Sequence, residues 1–311
     1  MKTPLPSTAP RRRGVALIAV IWLIAILAMA CMAALRVVSF DLEIATSKVH
    51  GTRARQIVEM GIAIGSNPMI ERTDPLLRRM DPDTGEGFEV KLISEGGRLN
   101  PNVLLLGGDK DLLRSIFIDW GLDLESAQAV TDALSDWVDD NDETSLNGAE
   151  KEWYENAGRI NQPFNRPFYS LDEMRLVRGM DLVEAARPDW REWFTIWSGS
   201  GQLDLNEAEA ELIAAAADVS VDIASIIPET VRGPDGIRGT NDDVPFQNLQ
   251  SAFQQLGGVR EDLQKRFTVN DNTVRIESIG YASGARRKII AIVANRTGRP
   301  TLLDRTEEIL P

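Results

Sequence analysis

The chain has one cysteine, Cys31, and one histidine, His50, in 311 residues. A lone thiol forms no intrachain disulfide, and one donor of each kind is too few for a zinc site. His50 falls inside a long helical pattern, so no Ser–His or Cys–His nucleophile is available. Positive charge is also short, with 34 Lys and Arg against 47 Asp and Glu and a net charge of −13. Such a balance excludes nucleic acid and anionic membrane surfaces as partners of the exposed part. Neighbouring carboxylates such as Asp139 and Asp140 are what an acidic composition produces by itself, so we read no glycosidase-type pair into them. Proline is missing between Pro10 and Pro68, which leaves nothing to break a helix there.

What fills that proline-free span is apolar first and amphipathic later. Val15 to Leu35 contains no charged side chain and follows directly on Arg11, Arg12, Arg13 and Gly14. As a helix it would be about 32 Å long at ~1.5 Å per residue, matching a hydrocarbon core of roughly 30 Å. A cleaved secretory signal is the alternative, with Ala28-Met29-Ala30 as its small-residue site, but its apolar region would be only ~7–15 residues long. Lipidation at Cys31 is disfavoured by Ala28, where a leucine is usual. The pattern instead runs on without a turn: Val38, Leu42, Ala45 and Val49, then Ile57, Gly61 and Ile64, recur at helical spacing with charged residues between them. One helix is expected to start in the bilayer and leave it as an amphipathic rod. The three arginines put its N-terminus in the cytoplasm, with the remaining chain on the other side.

Beyond the rod the chain is soluble in character; over all 311 residues it is 43 % hydrophobic and 26 % charged, enough for one large or two small domains. "GFEVKLIS" (Gly87 to Ser94) alternates as a half-buried strand, and "NTVRIESIGYASGARRKIIAIVANR" reads as two strands joined at Ser283-Gly284. Helical patterns occupy most of what lies between, as two compact bundles. Ser170 with Glu173 and Asn206 with Glu209 carry capping-box spacing. "LVRGMDLV" is a bundle-packing turn, its neighbours Glu173, Asp181 and Glu184 being unsuited to phosphate.

Arg-Arg-Arg-Gly before a hydrophobic helix that turns amphipathic resembles the leader of type IV pilins and pseudopilins. Further along, "EGGRLNPNVLL", "LSDWVDDNDETSLNGAEKEWY", "PFYSLDEMRLVRGM", "LDLNEAEAELIAA" and "GPDGIRGTNDDVPF" resemble, in family order, the minor pseudopilin K family of type II secretion systems (general secretion pathway protein K). The resemblance implies cleavage after Gly14 by a prepilin peptidase and N-methylation of Val15. Most pilin-like proteins have glutamate at the fifth mature position; this chain has Ala19, as that member typically does. It also implies an α+β, pilin-like fold: a long N-terminal helix packed on a small antiparallel sheet, with a large helical (SAM-like) domain inserted between the strands. The expected division is 1–14 leader, 15–66 helix, 67–98 first part of the sheet domain, 99–266 insertion, 267–298 C-terminal strands and 299–311 tail.

The same resemblance implies bound calcium, and two loops offer oxygen ligands. "PDGIRGTNDDV" supplies Asp235, Asn241, Asp242 and Asp243, with Gly236 and Gly239 letting the backbone curl, and is the better candidate. "DDNDETSLNGAE" places Asp139, Asn141, Glu143, Asn147 and Glu150 at EF-hand-like positions but has Thr144 where the sixth-position glycine belongs. Expected partners are the membrane, the I- and J-type minor pseudopilins and through them the major pseudopilin, the prepilin peptidase and the inner-membrane assembly platform. The expected role is a non-enzymatic subunit of the inner membrane with a periplasmic C-terminal domain, later at the pseudopilus tip. The alternative is a single-span periplasmic binding protein whose helical domain takes a soluble ligand.

Overall fold

The computed structural model describes residues 13–310, with side chains from Leu17 onward. The first element, α1 (Arg13–Gly65), is one uninterrupted helix, as the missing proline requires. Its part from Leu17 is long and apolar enough to cross a membrane, and the apolar stretch within it is not buried against the remaining chain. A sheet follows with β1 (Arg78–Met80) and β2 (Gly87–Ser94). The helical elements α2 (Pro101–Leu106), α3 (Lys110–Asp119), α4 (Leu124–Val138), α5 (Lys151–Asn156), α6 (Leu171–Met174) and α7 (Met180–Ala186) come next. After β3 (Leu203–Asp204) come α8 (Ala210–Ala217), α9 (Val221–Ala224), α10 (Ile226–Val231), α11 (Leu249–Gln255), α12 (Glu261–Gln264) and β4 (Phe267–Thr268). The chain ends with β5 (Val274–Ala282), β6 (Ala285–Ala294) and β7 (Thr301–Leu310).

The main sheet has the order β1-β2-β5-β6-β7, antiparallel throughout. Alternation made β2 legible: Phe88, Val90 and Leu92 are buried with Ile276, Ala291 and Val293 in a small core under α1. Ser283 (φ 47°) and Gly284 (φ 86°) both take the left-handed region, the two-residue turn that matches strand twist.

The packed face of α1 differs from the expected Ile57–Gly61–Ile64 stripe. Gly51, Ala54, Val58, Gly61 and Gly65 are the residues turned fully inward, with Ile57, Ile62 and Ile64 flanking them half-buried. A Cβ on Gly61 would stand 2.2 Å from Ser278 Oγ, and one on Gly65 2.6 Å from Ile276. Small residues let the helix axis sit close to the sheet, and Val38, Leu42 and Val49 are left exposed.

Three other expectations change. Residues 299–311 are not a loose tail, since β7 lies in that segment and pairs with β6 from Ala294↔Thr301 to Arg286↔Leu310. Arg55 with Glu307 (3.2 Å) and Arg305 with Glu59 tie β7 to α1. Phe267–Thr268 pairs with β3 inside the insertion, so the main sheet resumes only at Val274. The helices share one continuous hydrophobic core from Leu99 to Val269 in place of two bundles, centred on large side chains such as Trp137, Tyr154 and Trp190.

Ser170 caps α6 by accepting from the Glu173 amide (3.3 Å), as its spacing predicts. Asn206 does not cap α8. Its amide instead bridges Phe246 N and O and Val269 O at 2.8–3.1 Å, because those backbone groups have no strand partner. Gly179 turns into α7 at φ 84°, its Cβ position 2.6 Å from Val130, which makes "LVRGMDLV" a packing turn.

Candidate functional site

Met1–Arg12, most of the expected leader, lies outside the described residues. The α1 backbone is already helical at Gly14 and Val15, and Ala19 is exposed on it with the apolar residues around it.

The acidic loop 139–150 is built on α4. Asp132 and Asp136 stand one turn apart on its buried side and turn their carboxylates toward the loop. Asp136 accepts from Ser145 N at 3.2 Å through both oxygens, and Asp132 from Asn147 N at 3.4 Å while pairing with Lys110 Nζ at 2.8 Å. Gly148 is pressed against Asp136, where a Cβ would come within 1.9 Å of Oδ2. Asp139 accepts from Asn141 N (3.2 Å) and Nδ2 (2.8 Å), and Asn141 Oδ1 accepts from Glu143 N (2.7 Å). Glu143 is exposed.

Glu150 is buried and accepts only from Lys151 N (3.3 Å) through Oε2; its Oε1 has no partner. Desolvation above all, then the Asp136 charge and more weakly those of Asp139 and Asp142, pushes its carboxyl up to about 7. Asn165, whose Nδ2 donates to Asn141 O (2.9 Å) and Asp142 Oδ1 (3.1 Å), also has a buried Oδ1 without a partner. Buried oxygens facing no donor, beside mutually repelling carboxylates, are what a hard cation neutralises. Asp136 and Asn165 were missed from the sequence. The helical spacing of Asp132, Asp136 and Asp139 places them on one helix face but does not say whether that face meets water or a loop.

The loop 233–244 closes on itself. Asp235 accepts from Ile237 N (2.7 Å), Asp242 from Thr240 Oγ1 (2.6 Å) and Asp235 N (3.0 Å), and Asp243 from Gly239 N (2.7 Å). The Thr240 hydroxyl, then the Asp235 amide, hold the Asp242 carboxyl below the usual carboxylate range. Asp243 Oδ1 is buried without a partner, and Asn241 is exposed. Arg238 staples the loop to the chain before α8 through Glu207 O (2.6 Å) and Ala208 O (3.1 Å). Among the described residues, no three carboxylate, imidazole or thiol side chains are gathered tightly enough to hold an ion unaided. Both loops have all-oxygen donors and one orphaned carboxylate oxygen; only the first adds a set of like charges that raise one another.

A third acidic group joins sheet and insertion. Glu95 is fully buried and receives Arg275 Nε (2.6 Å) and the Thr195 hydroxyl, with Arg98 at 3.7 Å. Beside it Asp204 accepts from Asn206 N (2.9 Å) and Asp271 N (2.8 Å). Burial, outweighing those two bonds and helped by the Glu207 and Asp271 charges, pushes the Asp204 carboxyl up to about 6. Because this value lies above the unfolded one of 3.8, Asp204's contribution is fully present below about pH 4 and is lost as pH rises through about 6. The ceiling is about 3 kcal/mol at 1.36 kcal/mol per unit. We expect urea stability to fall between about pH 4 and 7, with a shallower fall in Asp204→Asn despite its lower baseline. Parallel pH profiles of the two proteins would remove Asp204 as the cause.

A long N-terminal helix, apolar and exposed in its first part and packed in its last on an antiparallel sheet that is split by a helical insertion, defines the pilin-like α+β class. Residues 97–188 match the family model described as type II secretion system (T2SS), protein K. Type II secretion system protein K of Dickeya chrysanthemi is 32 % identical over 140 residues, 42 % of this chain and 37 % of that relative. The match thus spans well under half of the relative's length. A chain of the GspK-GspI-GspJ complex from the enterotoxigenic Escherichia coli type 2 secretion system shares the fold, with a TM-score of 0.60 at 14 % identity over 87 % of this chain and 98 % of that one. The resemblance to the protein K family of minor pseudopilins is thereby shown, and the insertion carries it.

Proposed function

We propose that the chain is a non-enzymatic minor pseudopilin that initiates and caps the periplasmic pseudopilus through which folded exoproteins are exported across the outer membrane. The observation that carries this reading is the bulk placed between β2 and β5. A helical unit with its own core, inserted beside the helix that enters the fibre, would obstruct any subunit stacked above. Ala19 supports it: a glutamate there would need the free amine of a helix above it, and an unpaired carboxylate in apolar surroundings costs a few kcal/mol. The exposed Val38–Leu42–Val49 stripe gives I- and J-type partners, and through them the major pseudopilin, a helix face to pack on. Before assembly the protein would sit in the inner membrane with a cytoplasmic N-terminus, engage the assembly platform, and be cut by the prepilin peptidase between Gly14 and Val15. Mass spectrometry should find N-methylated Val15, and Gly14→Val should leave an inserted, uncut precursor because a β-branched side chain crowds the scissile bond. A normal mature N-terminus in that variant would sink the processing step, and immunogold label spread along whole fibres would sink the cap.

Calcium belongs to the same reading. Glu150, Asp139, Asn165 and loop carbonyls would hold an ion in the first loop, and Asp242 and Asp243 in the second; the ion would neutralise the crowded carboxylates. Calcium at a hundredfold excess over its Kd should stabilise the protein by about 2.7 kcal/mol relative to chelator. Glu150→Gln should cancel this response if the first loop binds, and Asp242→Ala with Asp243→Ala if the second does. Identical melts in calcium and in chelator would end the claim.

A further inference from the structure

A cleft of about 870 Å³ opens between α3, the α8–α9 turn and α12, and none of the roles above uses it. Its floor is apolar: Leu112, Ile116 and Leu263 are buried there. Trp120 stands half-buried in the wall, edge-on to Trp193 at 5.1 Å between ring centroids. Ile118 and Val221 on the lip remain 38 % and 49 % exposed. The rim is lopsided in charge, with six carboxylates facing three guanidiniums.

Those charges are not equally committed. Asp109 forms a two-pronged pair with Arg266 at 2.6 and 2.7 Å, and Glu211 pairs with Arg187, whose guanidinium lies 4.6 Å from the Trp193 ring centre. Arg260 bridges Asp218 (3.1 Å) and Asp262 (2.7 Å) but is 62 % exposed, so an incoming cation displaces it at little cost. Asp111 pairs with Arg114 outside the cleft, and Asp119 makes no ion pair among the described residues.

We propose that this cleft docks a cationic, apolar-anchored polypeptide segment of a partner protein, its apolar side chains on Trp120 and the Leu112–Ile116 floor and its lysines or arginines on Asp119, Asp218 and Asp262. Charge complementarity selects the occupant: an acidic segment meets an uncompensated negative rim, and a neutral one leaves it unused. The apolar floor selects a polypeptide over a small polycation, since burying Trp and aliphatic surface supplies the anchoring that rim charges alone do not. The inference does not depend on where in a fibre the chain sits.

The test uses the full chain in detergent micelles and a fluorescent amphipathic Leu/Lys peptide of about four helical turns, with its Leu/Glu counterpart. Fluorescence anisotropy should show the Leu/Lys peptide binding at least tenfold tighter than the Leu/Glu peptide. Asp119→Lys with Asp218→Lys should weaken it about tenfold, and Val221→Glu should weaken it as well. The equally large charge change Asp83→Lys with Glu308→Lys, in the β1–β2 turn and on β7, should leave it unaltered. Equal loss from both double substitutions would reduce the binding to general acidity and overturn the proposal. Competition by spermine as effective as by unlabelled peptide, or no effect of Val221→Glu, would overturn it too.

Discussion

Gly280→Ala is expected to destabilise the sheet unit by about 3 kcal/mol, a large effect for a single methyl group. Gly280 lies on β5 directly beneath α1. A Cβ there would stand 2.5 Å from Ala54 O and 2.6 Å from Val58 N. Both are backbone atoms of a continuous helix, so no rotamer change relieves the clash, and α1 must lift off the sheet. Lifting it opens the small core of Phe88, Val90, Leu92 and Ile276 and loosens the bond from the Ser278 hydroxyl to Val58 O (3.0 Å). Gly199→Ala is the control, with open space around its Cβ position. Urea unfolding should show the Gly199 variant near wild type and the Gly280 variant well below it. A Gly280→Ala midpoint indistinguishable from wild type would mean the helix does not lie as close as described.

Glu95→Ala should cost at least as much, about 3–5 kcal/mol, the usual range for removing one partner of a buried ion pair. It strips the counter-charge from Arg275 and Arg98 and the acceptor from Thr195, all largely shielded from water. Since Arg275 is on β5 and Thr195 lies beyond α7, the loss falls on the joint between sheet and insertion. Glu95→Gln should recover part of it by keeping an acceptor for Thr195. Replacing Glu95 and Arg275 together by leucine and methionine should recover more than Glu95→Ala alone retains. Limited proteolysis would separate the joint from global unfolding, with early cuts expected near Thr195. A Glu95→Ala protein within 1 kcal/mol of wild type would show that the joint is held by packing alone.

The joint explains "EGGRLN" physically. A Cβ on Gly96 would meet Asp271 at 2.3 Å, and one on Gly97 would meet Glu207 O at 2.5 Å, so both positions exclude a side chain while Glu95 points inward.

What the sequence made legible is what periodicity marks. The unbroken α1, the alternating β2 and the Ser283-Gly284 hairpin stand where their patterns put them. β7 was not legible because "TLLDRTEEIL" is exposed on both faces as an edge strand and so has no alternation to see. The packed face of α1 was not legible because glycine and alanine give no hydrophobic signal, although they set how close two elements come. At the candidate site, Glu150 was within reach through ligand spacing. Asp136 was not, because an acidic residue on an amphipathic helix looks the same whether it faces water or a loop's amide groups. Asn206 misled for a related reason: an asparagine before a helix is a good cap only when no other backbone needs it more.

Ser94 and Val274 are register partners at the end of β2 and β5, so the chain enters and leaves the whole insertion one strand spacing apart, roughly 4.8 Å. Geometrically the sheet cannot distinguish the insertion from a two-residue turn. Thermodynamically it can, because closing so long a loop costs more chain entropy, though only as the logarithm of its length. An insertion that folds first cancels most of that cost by holding its own ends together. The helical unit therefore acts as the clasp for the β2–β5 pair, and a short Asn-Gly turn in its place should still give a smaller sheet-and-helix protein able to enter the membrane.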